Sequence, residues 1–122
     1  MKKLLLTTLV GLGLATPAMA WQSWDAFKAV SVENARVIDH DDTRLITTSE
    51  GQSYALFFAL VAGDREAFES ILKWTEKNLS GASLTKTLPA WLWGKEVKNG
   101  RTSWKILDRN NAVDSDMWIA YA

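Results

Sequence analysis

Two neighbouring stretches of the chain carry opposite hydrophobic patterns, and both have a helical period. Residues 54–62 (YALFFALVA) are apolar on every side, whereas residues 65–79 place apolar side chains three and four positions apart among charged ones. A helix that is apolar all round is covered by protein, while a one-sided helix keeps a wet face. Gly63 is a favourable residue after a helix, and Asp64 can cap the next one. The pattern predicts an αα-hairpin with a buried inner helix and a half-exposed outer helix.

The rest of the chain predicts further helices around this hairpin. Residues 24–37 have a loose helical period that is broken around Ser31, and a last helix opens at Asp114. Between these helices, residues 95–103 are polar and predict an exposed loop, which is followed by a short extended segment over 104–108. The predicted fold class is therefore all-α, and stacked hairpins of this kind are typical of an α/α barrel.

The first twenty residues have the pattern of a secretory signal peptide. Two lysines precede an apolar run over 4–15, and residues 18–20 (AMA) form an A-x-A cleavage site. The run is shorter than the roughly 20 residues needed to cross a bilayer. We expect residues 1–20 to be a signal peptide and residues 21–122 to form one exported domain, periplasmic or secreted, with no membrane segment.

Charge and composition exclude several classes of protein. The 14 basic residues balance the 14 acidic ones, and the chain without its two leading lysines is slightly acidic. Such a chain has no electrostatic attraction for nucleic acid or for anionic lipid. It has no cysteine, one histidine (His40) and no glycine-rich phosphate loop. The sequence thus predicts no metal and no cofactor, and a fold stabilised by burial rather than by disulfides.

The printed sequence stops within a helical pattern. Residues 117–122 (MWIAYA) are largely apolar and contain no glycine, proline or cationic stop signal. We expect the sequence to be the N-terminal portion of a longer protein. The alternative is a short C-terminal helix whose end frays.

Glu50 stands at the mouth of the apolar helix, with Ser49 before it as the expected N-cap. We expect its carboxyl group to be partly buried there, which favours the protonated form and suits a general acid. The alternative is a glutamate that only completes the first helical turn. Asp114 and Asp116 stand at the mouth of the last helix in the same way, and either can be a simple cap. Acids that meet at one end of a bundle would supply the carboxylate pair that glycoside hydrolysis needs.

Four of the seven tryptophans lie in or beside the irregular part of the chain: Trp91, Trp93, Trp104 and Trp118. Flat indole faces stack on the apolar faces of sugar rings, so some of these residues are candidates for a carbohydrate groove. The alternative is that they belong to the core or to a lid. Trp118, four residues after Asp114 on a predicted helix, is the best candidate for the core.

Several ordered motifs together resemble glycoside hydrolase family 8. They are NARVID (34–39), RLITTSEGQSY (44–54), LPAWLWGK (88–95) and VDSDMWIAY (113–121). The resemblance implies an (α/α)6 barrel, of which this chain would hold the N-terminal portion, and endo-hydrolysis of β-1,4-glucan with inversion at the anomeric carbon. Within the family, the motifs are most similar to those of periplasmic cellulases encoded with a bacterial cellulose synthase, which implies a functional link to that complex.

The resemblance also implies roles for two of the acids. Glu50 in TSEGQSY matches the proton donor to the glycosidic oxygen. Asp114 matches a residue that holds the sugar at the point of cleavage. The chain departs from the family pattern at Val113, where the family commonly has serine or threonine. One hydroxyl group near Asp114 is therefore missing, and its local hydrogen bonding should differ from that of the family.

Three further residues are candidates for substrate binding by the same resemblance: Tyr54, Asp116, which would otherwise serve as structural support, and Trp104 as a stacking platform. The family's general base is an aspartate that would lie beyond residue 122. An inverting hydrolase needs both an acid and a base. We therefore expect the chain by itself to be inactive, and to expose apolar faces that further helices would cover.

Two other functions remain open at this point. The first is a carbohydrate-binding or scaffold protein of a cellulose-export assembly, which would use the tryptophans without catalysis. The second is a related hydrolase that acts on chitosan, xylan or mixed-linkage glucan, because the same family includes such enzymes.

Overall fold

The computed structural model describes residues 17–81 and 83–122. Most of the predicted signal peptide lies outside the described residues, and its last four residues begin the first helix. In chain order the elements are α1 (Pro17–Ser31), β1 (Val32–Glu33), β2 (Arg36–Val37), β3 (Thr47–Thr48), α2 (Ser49–Ala62), α3 (Arg65–Thr75) with a π-helical turn after it (Glu76–Ser80), β4 (Leu92–Lys98), β5 (Arg101–Asp108) and α4 (Val113–Tyr121).

The predicted helical hairpin is confirmed as α2 and α3. Gly63 adopts the left-handed conformation with φ of 68°, and its N–H donates to the carbonyl of Leu60 at 3.1 Å. Glycine adopts this conformation without the strain that a Cβ atom would bring. The carboxylate of Asp64 then accepts the N–H of Ala67 at 3.1 Å and caps α3 as expected. Two residues therefore suffice to reverse the chain between the helices.

The prediction that Ser49 caps α2 is wrong by one residue. The hydroxyl of Thr48 accepts the N–H of Gly51 at 3.0 Å, so Thr48 is the N-cap. Thr48 is extended because it ends strand β3, whereas Ser49 is already helical and its own N–H donates to the carbonyl of Trp91 at 3.0 Å. The sheet thus fixes where α2 begins.

The hydrophobic core lies where α1 and α3 pack against α2. Its small residues on α2 are Ala55 and Ala59, which let the neighbouring helices approach closely, and Leu56 and Ile71 fill the space between them. Trp24 of α1 closes the core on one side. Burial of such a leucine or isoleucine side chain contributes about 1.5–3 kcal/mol to stability, so these contacts anchor α2 from the first turn onward.

The predicted helix over 24–37 ends earlier, at Ser31. The chain then turns back as the β1–β2 hairpin, in which Val32 pairs with Val37. The turn residues Asn34 and Ala35 have φ of 51° and 64°, a left-handed pair that closes a two-residue hairpin. Alanine carries a steric cost in this conformation, and nothing in its side chain indicates the turn from the sequence.

The predicted loop over 95–103 is instead most of an antiparallel hairpin formed by β4 and β5. Asn99 and Gly100 make its turn with φ of 52° and 72°, the two-residue turn for which Asn-Gly is the strongest local signal. Strand β4 also pairs with β3, so that Trp93 lies opposite Thr47. The all-α prediction therefore holds for the helical framework, and a three-stranded sheet stands at the N-terminal end of α2.

The all-apolar composition of α2 predicted a helix covered by protein on every side. That prediction is wrong. Helices α1, α3 and α4 pack against α2, yet one face stays open and continues onto α4. The exposed apolar side chains of this outer face are Tyr54, Phe58, Leu60, Val61, Met117, Trp118 and Tyr121. Trp118, the expected core residue, is 42% exposed there, because no described element covers the outer side of α4. The expected exposure of an apolar face is confirmed. No helix among the described residues has the length and apolar character to cross a membrane.

Candidate active site

Glu50 lies in the first turn of α2, and it is exposed rather than partly buried as expected. The reason is the direction in which this turn faces. Ser49, Gln52 and Ser53 point into the protein and are fully buried, which leaves Glu50 on the outer side. Its carboxylate oxygen Oε1 accepts a hydrogen bond of 2.9 Å from the phenol of Tyr54, one turn further along the helix.

Tyr54 links Glu50 electrostatically to the last helix. The hydrogen bond to Glu50 raises the pKa of the Tyr54 phenol, and the negative charges of Glu50 and Asp114 raise this pKa further. A carboxylate acts on a phenol in this way only when it lies near it. The first turns of α2 and α4, which carry the predicted site residues Glu50 and Asp114, therefore lie at the same end of the helix pair.

Asp114 stands at the rim of an open groove of about 520 Å³ along α4. The other lining residues are Phe57, Met117, Trp118 and Tyr121. Asp114 Oδ1 accepts the N–H of the next residue, Ser115, at 2.9 Å, and Val113 beside it is exposed and offers no hydroxyl group. A carboxylate beside an aromatic wall is the composition of a sugar-binding groove, because rings stack on apolar sugar faces and the acid binds hydroxyl groups.

Asp116 lies on another side of α4. Its Oδ2 accepts a hydrogen bond of 3.0 Å from the side chain of Asn111, while its buried Oδ1 has no protein partner. It lines a separate groove of about 320 Å³ together with Leu72 and Ile119. The structure therefore brings Asp116 to the junction of α4 with the preceding loop, and it does not join it to Glu50.

Trp104 lies in an aromatic cluster on the sheet. Its ring stacks on Trp93 with centroids 5.5 Å apart, and Trp93 meets Trp74 edge-on at 5.0 Å. The guanidinium of Arg36 lies over both stacked indoles, 4.9 Å from Trp93 and 5.2 Å from Trp104. Among the described residues, no hydrogen bond or ring contact joins this cluster to Glu50.

The buried Arg36 is a residue that the sequence analysis missed. Its Nη1 donates to the hydroxyl of Thr47 at 2.8 Å and to the carbonyl of Leu45 at 2.9 Å. Burial lowers the pKa of this guanidinium, while the charge of Glu33 opposes that effect. Its position within the NARVID motif is the only sign of it in the sequence. It fixes β2 to β3, the strand that leads directly into the turn of Glu50.

Gln52 was also missed, although it is a polar residue next to an apolar run. Its side-chain oxygen accepts the N–H of Val37 at 2.7 Å, and its nitrogen donates to the hydroxyl of Thr75 at 3.0 Å. The residue is fully buried and joins α2 to β2 and to α3. The available signal in the sequence was the position of Gln52, which the helical period places on the same inward face as the buried apolar residues that follow. Together with Arg36, it sets the position of the first turn of α2.

Among the described residues, no group of three or more histidine, cysteine, aspartate or glutamate side chains is arranged to hold a metal ion. The start of α2 offers the carboxyl group of Glu50 and the phenol of Tyr54.

The described fold and this pair of acids define a helical protein with a carboxylate site. Residues 3–122 match the model of Glycosyl hydrolases family 8, and the chain belongs to that family.

Relatives of known sequence and structure agree with this family. An endoglucanase of Escherichia coli O157:H7 is 51% identical over 106 residues, which are 86% of this chain and 28% of the relative. An endo-1,4-D-glucanase from Vibrio fischeri ES114, known from its crystal structure, is 57% identical in sequence to this chain. The TM-score is 0.77, and the match covers 83% of this chain and 28% of the glucanase. The endo-beta-1,4-glucanase CMCax from Acetobacter xylinum is 31% identical, with a TM-score of 0.70 over 86% of this chain and 31% of that one. The chain thus spans less than a third of these relatives, and the predicted fold class, part of an (α/α)6 barrel, is confirmed.

Proposed function

We propose that this chain supplies the proton donor and a sugar-positioning acid to an endo-1,4-β-glucanase that acts by a single inverting displacement. The observation that carries the proposal is the placement of Glu50, hydrogen-bonded to Tyr54 and in the first turn of α2, at the same end of the helix pair as Asp114, which lines an open aromatic groove along α4. Membership of family 8 and the names of the relatives, which are endoglucanases, support β-1,4-glucan as the substrate class over chitosan, xylan or mixed-linkage glucan.

In the proposed reaction, the carboxyl group of Glu50 gives its proton to the glycosidic oxygen as the bond to the anomeric carbon breaks. Asp114 accepts hydrogen bonds from the sugar at the point of cleavage and holds the ring for attack. Inversion also needs a base for water on the opposite face of the sugar, with the two carboxyl groups about 6.5–9.5 Å apart. That base is assigned to the part of the family fold that this chain does not contain.

Two further residues take supporting roles in the proposal. Asp116 stabilises the start of α4, since its carboxylate accepts from Asn111 in the preceding loop. Trp104 is kept as a stacking platform, with 44% of its surface exposed and one face packed on Trp93. Because it belongs to the sheet cluster, it would contact a glucan chain away from the point of cleavage.

The setting of this activity is also a proposal. The signal-peptide pattern of residues 1–20 supports export to the periplasm or beyond. The similarity of the motifs to those of cellulases encoded with a cellulose synthase supports a functional link to that complex.

The substitution Glu50→Gln tests the role of the acid in a full-length family-8 enzyme that carries this segment. General acid catalysis contributes about 10²–10⁴-fold, so hydrolysis of carboxymethylcellulose, measured by reducing sugars, should fall by about that factor with an unchanged circular dichroism spectrum. Glu66→Gln is the matched control, because Glu66 is also an exposed glutamate in the first turn of a helix. Activity retained by Glu50→Gln would overturn the assignment.

The same assay separates the alternative of a carbohydrate-binding or scaffold protein. A protein of that kind would bind cellulose without releasing reducing sugars, even with Glu50 intact. Its binding would depend on exposed indoles such as Trp104 and would not respond to Glu50→Gln. Hydrolysis by the unchanged protein that is lost with Glu50 therefore favours the enzyme.

A further inference from the structure

The hydrogen bond between Tyr54 and Glu50 has a defined direction. Residues four apart on a helix lie on the same face, one turn above the other, and the phenol oxygen is 2.9 Å from Glu50 Oε1. A phenol can donate one proton, whereas an ionised carboxylate can only accept. The pair therefore has the O–H of Tyr54 pointing at Oε1 whenever Glu50 is an anion.

Tyr54 is held as a donor over the whole working range of a glycosidase. Its pKa is raised above the usual value of about 10 by the bond to Glu50 and by the charges of Glu50 and Asp114. The side chain is 44% exposed, so its ring lies at the surface of α2 where a substrate can pass. The phenol thus stays protonated and accessible beside the proposed reaction centre.

The start of α2, which carries Glu50 and Tyr54, is held by contacts on its buried side. The hydroxyl of Ser53 donates to the carbonyl of Glu50 at 2.7 Å, and Gln52 ties the same turn to Val37. A Cβ atom added at Gly51 would lie only 3.3 Å from the Val37 side chain, which shows how closely this turn is packed. The backbone of Glu50 has little freedom, and its side-chain direction is left to Tyr54.

We propose that Tyr54 is the positioning residue of the proton donor, a role that rests on the proposed function of Glu50. The phenol occupies Oε1, so the transferable proton is carried on Oε2.

The same bond assists the proton transfer itself. As Glu50 gives up its proton, the Oε2–H bond breaks, the proton joins the glycosidic oxygen, and the electron pair of the breaking C–O bond passes to that oxygen. Water adds to the anomeric carbon and loses its proton to the carboxylate base supplied by the rest of the family fold. Glu50 is left as an anion, and a hydrogen bond to a charged acceptor is roughly twice as strong as a neutral one. Tyr54 is unchanged by the cycle.

The dependence on the leaving group tests this role in a full-length family-8 enzyme that carries the segment. We expect Tyr54→Phe to lower kcat on carboxymethylcellulose about 10- to 100-fold, the effect of one hydrogen bond to a charged group. On 2,4-dinitrophenyl β-cellotrioside, whose leaving group needs no proton, kcat should change less than about threefold. Equal losses on both substrates, or no loss on either, would overturn the proposal. Thr102→Val, which removes an exposed hydroxyl group from strand β5, is the control.

A second measurement uses the 122-residue chain and needs no activity. The chain has two tyrosines, so Tyr121→Phe leaves Tyr54 as the only phenol that ionises. Its tyrosinate absorbance should appear at a higher pH than that of a free phenol, and Glu50→Gln should move this transition to lower pH. An unmoved transition would show that the bond is absent.

The two proposals can fail separately. If Glu50→Gln abolishes hydrolysis by the full-length enzyme while Tyr54→Phe does not, only the positioning role fails. If Glu50→Gln retains activity, the proposed function fails first.

Discussion

The side chain of Gln52 on α2 donates a hydrogen bond of 3.0 Å to the hydroxyl of Thr75 on α3, and both residues are fully buried. Thr75 in turn donates to the carbonyl of Ile71 at 2.8 Å, so the bond ends within the α3 backbone. A buried polar chain of this kind, with its members satisfied, fixes one arrangement of the helices. It connects the helical core to the turn that presents Glu50.

Replacing Gln52 by methionine should therefore destabilise the chain. The substitution keeps the volume but leaves the buried N–H of Val37 without its acceptor, which costs about 1–3 kcal/mol, and it removes the hydrogen bond that the Thr75 hydroxyl accepts. The free energy of unfolding in urea measures the loss. Gln22→Met is the matched control, because Gln22 is exposed on α1, and it should change this free energy by less than about 0.5 kcal/mol. Equal stability of the two variants would contradict a structural role for the Gln52 network.

Asp64 predicts a change of stability with pH. The hydrogen bond and charge of Lys28, the Trp24 indole N–H and the backbone N–H of Ala67 lower the pKa of Asp64 to about 2, against burial, which raises it. A lowered pKa gives stability that is present above the unfolded value, about 3.9, and is lost as the pH falls towards 2. Asp64→Asn should thus cost about 1.5–3 kcal/mol near neutral pH, the worth of a hydrogen bond to a charged group, because asparagine caps a helix as well as aspartate does but loses the ion pair with Lys28.

The difference between the two proteins should shrink between pH 4 and pH 2, as the wild-type carboxylate becomes protonated. Urea unfolding at several pH values measures it. Glu69→Gln is the control, because Glu69 pairs with Arg65 on the exposed surface of α3, and exposed pairs contribute little. A stability difference for Asp64→Asn that does not vary with pH would contradict the ion pair with Lys28.

The outer face of α2 and α4 predicts self-association of the chain. Exposed apolar side chains of this kind mark an interface or an aggregation site. Val61→Lys should weaken association in light scattering and lower the binding of a hydrophobic dye. Val97→Lys is matched in exposure, 63% against 61%, but lies on the β4–β5 hairpin. An equal effect of both substitutions would show that general charge, and not this face, controls association.

The chain taken alone should show no glucanase activity. It offers Glu50 and Asp114 at one end of the helix pair, and the proposed mechanism assigns the base to neither. Reducing-sugar release from carboxymethylcellulose by the purified 122-residue chain measures this directly. Turnover that disappears with Asp114→Asn would mean that Asp114 is the base, and the roles proposed above would have to be exchanged.

The sequence predicted those parts of the fold that depend on local pattern. The αα-hairpin followed from an all-apolar run, Gly63 and Asp64, each of which acts within a few residues. The β4–β5 hairpin was missed although Asn99-Gly100 is a strong turn signal, because the polar residues around it suggested a loop. In that hairpin one edge is solvated and the other pairs with β3, so its polar composition is compatible with a strand.

The sequence offered candidate site residues but not their exposure. The motifs identified Glu50 and Asp114, and the spacing of Glu50 and Tyr54 already allowed a hydrogen bond on one helix face. The exposure of Glu50 could not be inferred from the sequence, because it depends on which side of α2 the neighbouring helices cover. The burial of Arg36 was missed for a related reason. It depends on Trp93 and Trp104, which are distant in sequence and are brought against Arg36 by the sheet.

The central claim, that Glu50 is the proton donor, is tested most directly by comparing two substrates in the Glu50→Ala variant of a full-length family-8 enzyme that carries this segment. Hydrolysis of carboxymethylcellulose should fall about 10²–10⁴-fold, whereas hydrolysis of 2,4-dinitrophenyl β-cellotrioside, which needs no proton on its leaving group, should stay within about tenfold of the unchanged enzyme. Equal losses on both substrates, or full activity on carboxymethylcellulose, would contradict the claim.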